Sequence, residues 1–135
     1  MTTKIASVAA LLTLVAFAIF SLVVGAPYLE ARLLGGLPLG NVLAALGPCA
    51  MAGAAVVLSV QGTVLRVASF ASLVGAVLWL PASVALAGNP ELNFSGGRGS
   101  VWLALTAVVA AGAVCTLLWA LVASALAKIR GASAA

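Results

Sequence analysis

The sequence predicts an all-α integral membrane protein, a four-transmembrane-helix up-down bundle with both termini in the cytoplasm. Three observations carry this. Of the 135 residues, 65% are hydrophobic and 6% are charged, against about 25% charged in an average soluble domain. The apolar residues gather in four uncharged runs, each near the roughly 20 residues that a helix needs to cross the hydrocarbon core. The few charges fall at the ends of these runs or between them, so most of the chain is solvated by lipid. A chain of this length is one domain, and residues 1–135 are read as a single membrane domain.

After Lys4 an uncharged run from Ile5 to Val24, closed by Gly25-Ala26-Pro27, gives a first span over about 5–25. A secretory signal peptide competes for this segment, because Lys4 resembles an n-region and Val24-Gly25-Ala26 a cleavage site. The run is longer than the usual h-region of about 7–15 residues, and Pro27 just after the cut is a poor context. A retained helix is therefore expected. Residues 26–40 hold Glu30, Arg32, Gly35, Gly36, Pro38 and Gly40, which interrupt helical continuity and read as an outer loop.

The second span, about 41–61, is rich in Ala and Gly and contains Pro48. Proline inside a helix removes one backbone hydrogen bond, which predicts a kink there. Residues 62–66 form a short inner loop that leaves room only for a turn, so the second and third spans are antiparallel neighbours. The third span, about 67–87, is stopped by Gly88-Asn89-Pro90, and residues 88–100 form a second outer loop. The last span, about 101–126, is the longest and is followed by Lys128 and Arg130. The tail from Gly131 to Ala135 is too short for a soluble domain.

Basic residues near span ends set the expected orientation. Lys4, Arg66, Lys128 and Arg130 fall on one side, and Arg32 and Arg98 fall on the other, each sharing a loop with an acid, Glu30 or Glu91. The bias of Lys and Arg toward cytoplasmic loops assigns the first group inside. The net charge of +4 thus reports orientation rather than nucleic-acid binding. Tyr28, Trp79 and Trp102 fall near outer span ends, where amphipathic rings favour the headgroup layer, while Trp119 falls toward the inner half. The high Ala, Gly and Val content suggests a GC-rich bacterial genome and hence a bacterial cytoplasmic membrane.

The two outer loops share an order of residues: Gly25, Pro27, Glu30, Gly35-Gly36 in the first, and Gly88, Pro90, Glu91, Gly96-Gly97 in the second. Read as a duplication, the chain is two helical hairpins of about 60 residues about an axis along the membrane normal. The competing account is that loops built from turn residues share Gly and Pro by chance.

Chemistry is sparse. The chain has no His and no Asp, and both glutamates lie in the outer loops. No carboxylate is therefore placed at mid-membrane, where proton-coupled transport generally needs an ionisable group. Cys49 and Cys115 lack metal-ligand spacing and lie about 12 and 21 Å below the outer ends of their helices. That separation is too large for a disulfide, whose Cα atoms approach within about 7 Å. The remaining polar groups in the spans are hydroxyls, expected to bond their own i−4 carbonyl or a facing helix. No catalytic residue, cofactor site or metal ligand is nominated, and no enzyme activity is expected.

Small residues at four-residue spacing do recur, in Ala68/Ser72, Ala71/Gly75, Ala107/Ala111 and Val108/Gly112. With Gly53, they nominate Ser72, Gly75, Ala107, Ala111 and Gly112 as helix-packing positions, since close backbone approach is a main source of helix association in lipid. Glu30 with Arg32 and Glu91 with Arg98 are read as loop ion pairs, candidate contacts for a partner or a lipid headgroup. The bland account is a pair of solvated charges worth little.

These readings make the chain a small non-catalytic accessory or structural subunit of a membrane complex. Its partners would be the bilayer and other membrane helices, its own copies or different chains, with no nucleic acid. The alternative is a small oligomeric transporter or channel for a neutral or hydrophobic solute, drawing on Pro48, Gly53 and the hydroxyls. An enzyme acting on lipid or quinone has the least support. The orientation is tested with reporter fusions: a periplasm-dependent phosphatase is expected to be active when fused after Leu33 and inactive when fused after Gly62, and the reverse pattern would overturn it.

Overall fold

The computed structural model describes residues 2–133, so Ala134 and Ala135 of the expected tail lie outside the described residues. In chain order it contains α1 (Thr2–Val24), short 3-10 turns at Pro27–Glu30 and Leu34–Gly36, α2 (Leu39–Leu58), α3 (Val64–Ala87) and α4 (Arg98–Ser133). All four α-helices are long and apolar enough to cross a membrane.

Local chemistry sets the helix limits and moves several of them from their expected places. Thr63 caps α3, its hydroxyl accepting the backbone N–H of Arg66 at 3.2 Å. An N-cap hydroxyl satisfies one of the orphan donors of a first turn, so Val64 to Arg66 join the helix rather than the inner connection. Gly88 ends α3 in the left-handed conformation, φ 73°, with its N–H on Val84 O, the usual role of glycine past a helix end. Helix α4 starts earlier and runs on well past residue 126. The residues after Leu126, Ala-Lys-Ile-Arg, are all tolerated in a helix and none breaks it. Helix α2 continues through Pro48.

Packing is organised by α2, which lies against α1, α3 and α4; α3 and α4 also pack on each other, whereas α1 makes its main contact with α2. The reason lies in side-chain size. Besides Leu43, the buried residues of α2 are Ala45, Gly47, Ala50, Ala52, Ala54 and Ala55, so hydrogen- and methyl-sized groups on several sides let three backbones come close. A core of Ala54, Ala55, Leu65, Leu117 and Ala120 joins α2, α3 and α4, with Leu11 and Leu12 of α1 packed against it.

The helix neighbours do not follow the two-fold arrangement of duplicated hairpins. Symmetry would match the α2–α3 contact with one of similar extent between α4 and α1, and among the described residues there is none. The small residues divide likewise. A Cβ on Gly53 would stand 3.7 Å from Leu11 Cδ1, and one on Gly112 would stand 3.5 Å from Ser72 Oγ, whereas Gly75 has open space beside it. Ala107 and Ala111 are exposed. The buried stripe of α4 is Ala113, Thr116, Leu117 and Ala120.

Overpacking the hub has a defined cost. Ala52→Leu or Ala55→Leu is expected to destabilise the fold by about 1–3 kcal/mol, read as an earlier thermal unfolding midpoint in detergent. Val108→Leu, at a position 72% exposed, is expected to leave the midpoint unchanged. Ser72 Oγ is buried without a hydrogen-bond partner, so Ser72→Ala is expected not to lower it, because no bond is lost.

Candidate functional site

Of the residues nominated from the loops, Glu30, Arg32 and Glu91 come together at one end of the bundle and Arg98 does not join them. The first connection folds on itself: an antiparallel bridge joins Arg32 and Pro38, and Leu33 N donates to Leu37 O at 2.9 Å and Leu39 N to Ala31 O at 2.9 Å. Gly35 and Gly36, with φ of 80° and 79°, make the reversal, a backbone region costly for other residues. The second connection then docks on the first. Asn41 Nδ2, in the first turn of α2, donates to Pro90 O at 3.0 Å, and the Pro90 ring lies beside Gly36.

This docking decides the ion pairing. Arg32 pairs with Glu91, Nη2 to Oε1 at 2.5 Å, so the expected pairing of Glu30 with Arg32 and Glu91 with Arg98 is replaced by one bridge between loops. Seating Pro90 on Asn41 carries its neighbour Glu91 toward Arg32 and away from Arg98. The other carboxylate oxygen of Glu91 accepts from Asn93 Nδ2 at 3.1 Å. Asn93 is in turn held by Asn89, whose Oδ1 accepts the Asn93 N–H at 3.0 Å. Among the described residues Glu30 and Arg98 make no ion pair, and both are exposed. Glu30, Arg32, Asn41 and Glu91 line an open, polar depression of about 410 Å³.

Beneath the loops lies an aromatic layer. Trp79 does not face headgroups: it is 5% exposed, and its Nε1–H donates to Thr106 Oγ1 of α4 at 2.8 Å. Reciprocally, Trp102 Nε1 of α4 donates to Ser83 Oγ of α3 at 3.1 Å. Each helix thus carries a Trp and a hydroxyl four residues later, Trp79/Ser83 and Trp102/Thr106, which in antiparallel packing meet crosswise. That spacing is the sequence signal by which the pair was findable. The Trp79 and Trp102 rings are 6.3 Å apart, and Phe94 of the second connection stacks on Trp102 at 5.0 Å. Pro48, with Ala44 whose carbonyl the proline leaves without its helical donor, faces Trp79, Trp102 and Thr106 across a cavity of about 260 Å³. Tyr28 closes α1, its ring parallel to Phe17 and its hydroxyl bonded to Ser21 Oγ.

The opposite end holds the α2–α3 connection, where Arg66 does more than mark a side. Its Nη1 donates to Val56 O at 2.8 Å and Ser59 O at 3.2 Å, and its guanidinium sits 5.0 Å from the Phe70 ring centroid. The cation thus satisfies carbonyls at the C-terminus of α2, where positive charge is favourable. Cys49 is half-buried in α2 and Cys115 is exposed on α4, both as free thiols. Among the described residues no three His, Cys, Asp or Glu side chains come together. Comparison with protein-family models, curated proteins and solved structures finds no match.

The crossed Trp–hydroxyl bonds are testable as a coupling. In a Trp79→Phe, Thr106→Val double-mutant cycle the interaction energy is expected near about 0.6 kcal/mol and no more than about 1.7, the range for interhelical hydrogen bonds in membranes. The Arg32–Glu91 bridge, with side chains 67% and 38% exposed, is expected to contribute below about 1 kcal/mol and to weaken with salt. Unfolding of Arg32→Gln at low and high ionic strength checks this.

Proposed function

We propose that this chain is a small non-catalytic subunit of a membrane complex, working in the bacterial cytoplasmic membrane as an up-down four-helix bundle with both termini inside. It acts by presenting helix faces to other membrane helices, those of a second copy or of a different chain. The observation that supports this most is the outward face of α4. Ala107, Ala111 and Cys115 recur there at four-residue spacing, and all three are exposed. Lipid has no need of small side chains, whereas a facing helix does, because they let two backbones approach.

The length of α4 adds to the case. Its 36 residues span about 54 Å at 1.5 Å per residue, beyond the roughly 40–45 Å of a bilayer with its headgroups. An end that leaves the membrane, or a tilt, gives this helix surface that the chain itself does not use.

Purification in mild detergent with mass analysis of the intact assembly tests the reading. The expected result is a stable assembly, of two or more copies or with different co-purifying chains, that dissociates in Ala107→Leu/Ala111→Leu without loss of thermal stability. A lone monomer, with no co-purifying chain, would sink the proposal. Mild oxidation of native membranes separates the two kinds of partner, since Cys115 lies on the same face: a Cys115-dependent dimer identifies a second copy.

A further inference from the structure

From the end of the bundle that carries the chain termini, we infer a binding site for one anionic phospholipid in the cleft between α1 and α4. The cleft encloses about 400 Å³ and is floored by Val57 and Leu58 at the end of α2. Lys4 from α1 and Lys128 from α4 both line it. On each wall the lysine lies toward the open end of its helix. Val8, Ala9 and Leu12 continue the α1 wall inward, and Ser124 lies one turn inward of Lys128. The arrangement is two cations above an apolar seat.

Charge complementarity selects the occupant. Among the described residues neither lysine is in an ion pair, and the chain's two acids, Glu30 and Glu91, line the depression at the opposite end. The nearby Arg66 is committed to the carbonyls of Val56 and Ser59. Among the described residues two unpaired ammonium groups therefore flank an apolar cleft with no side-chain carboxylate to neutralise them, and an anionic amphiphile satisfies both parts at once. Depth agrees. Along α4, Arg98 and Lys128 are separated by about 45 Å at 1.5 Å per residue, the thickness of a bilayer with its headgroups. When Arg98 stands in one headgroup layer, Lys128 stands in the other, at phosphate level, and the shared cleft sets Lys4 beside it. The phosphate accepts hydrogen bonds from the two Nζ groups, and one acyl chain lies along Val8, Leu12 and Leu58.

The experiment titrates delipidated full-length protein in detergent with dioleoyl phosphatidylglycerol or dioleoyl phosphatidylcholine and counts bound lipid by native mass spectrometry. The expected result is one phosphatidylglycerol per chain, bound at least tenfold more tightly than phosphatidylcholine. Lys4→Gln/Lys128→Gln is expected to remove the preference, and Arg130→Gln, which does not line the cleft, to preserve it. Ala9→Trp fills the seat with both lysines intact and is expected to abolish binding; since Ala9 is exposed, its folding is secure should the double variant misfold. Inorganic phosphate in large excess is expected not to compete. Equal binding of the two lipids, an equal effect of Arg130→Gln, retained binding in Ala9→Trp, or displacement by inorganic phosphate would each overturn the site. Ala107→Leu/Ala111→Leu lies on another face of α4 and is expected to bind lipid normally, so the test stands apart from that of the subunit proposal.

Discussion

The structure depends on the small side chains of α2. Ala52, Ala54 and Ala55 are wholly buried, and around them, among the described residues, α2 is the one helix that packs closely with all three others. In lipid there is no gain from hiding apolar groups, because the tails are as apolar as leucine, so association rests on dispersion contact between closely approaching backbones. An alanine-rich helix offers that approach in several directions at once. Larger residues would hold the neighbours apart, and a helix with a single small stripe would serve one partner. This is why the arrangement is a helix surrounded by three neighbours rather than a four-cornered ring.

A second constraint is that polar groups in the spans must find partners within the protein. Most hydroxyls do so locally: Thr13, Ser21, Ser69 and Thr116 donate to carbonyls four residues back, on Ala9, Phe17, Leu65 and Gly112. Two do not. Ser83 and Thr106 accept from the indoles of Trp102 and Trp79, so their role is specific rather than merely satisfied. A packing surface of alanines fixes distance but permits sliding and rotation, because one methyl is much like the next. Two crossed hydrogen bonds between α3 and α4 fix the register. The loop clasp at Arg32, Glu91, Asn41 and Pro90 holds the same end from above.

Hydrophobic runs and turn residues made the four helices legible in the sequence, because span length and the scarcity of charge are properties of the chain itself. Caps were less so. Thr63 was legible as an N-cap only if the apolar run is taken to begin at Val64, and the extension of α4 escaped because a run of good helix formers gives no stop signal. Which charges meet was not legible. Arg32 is two residues from Glu30 yet pairs with Glu91, since pairing depends on how two loops dock and not on separation along the chain. Exposure of Ala107 and Ala111 was equally hidden: in an alanine-rich helix, small residues at four-residue spacing occur on more than one face, and only the contacts distinguish the face turned inward. The Trp79/Ser83 and Trp102/Thr106 spacings stood in the sequence, but a tryptophan near a span end is ordinarily read as an interfacial anchor.

The position of α1 follows from the same hub. Helix α2 packs against both α1 and α4, while among the described residues α1 and α4 make little direct contact with each other. The gap between them is walled by Lys4, Val8 and Leu12 of α1 and by Ser124 and Lys128 of α4. Toward the core the gap is narrowed by Leu11 and Leu12 packing on the cluster of Ala54, Ala55, Leu117 and Ala120. Toward the chain termini α2 ends at Leu58, while α4 runs on past it through Lys128 and Arg130. The floor therefore stops before the wall does. A cleft flanked by Lys4 of α1 and Lys128 of α4 thus opens at this end, where α2 stops short of its neighbour.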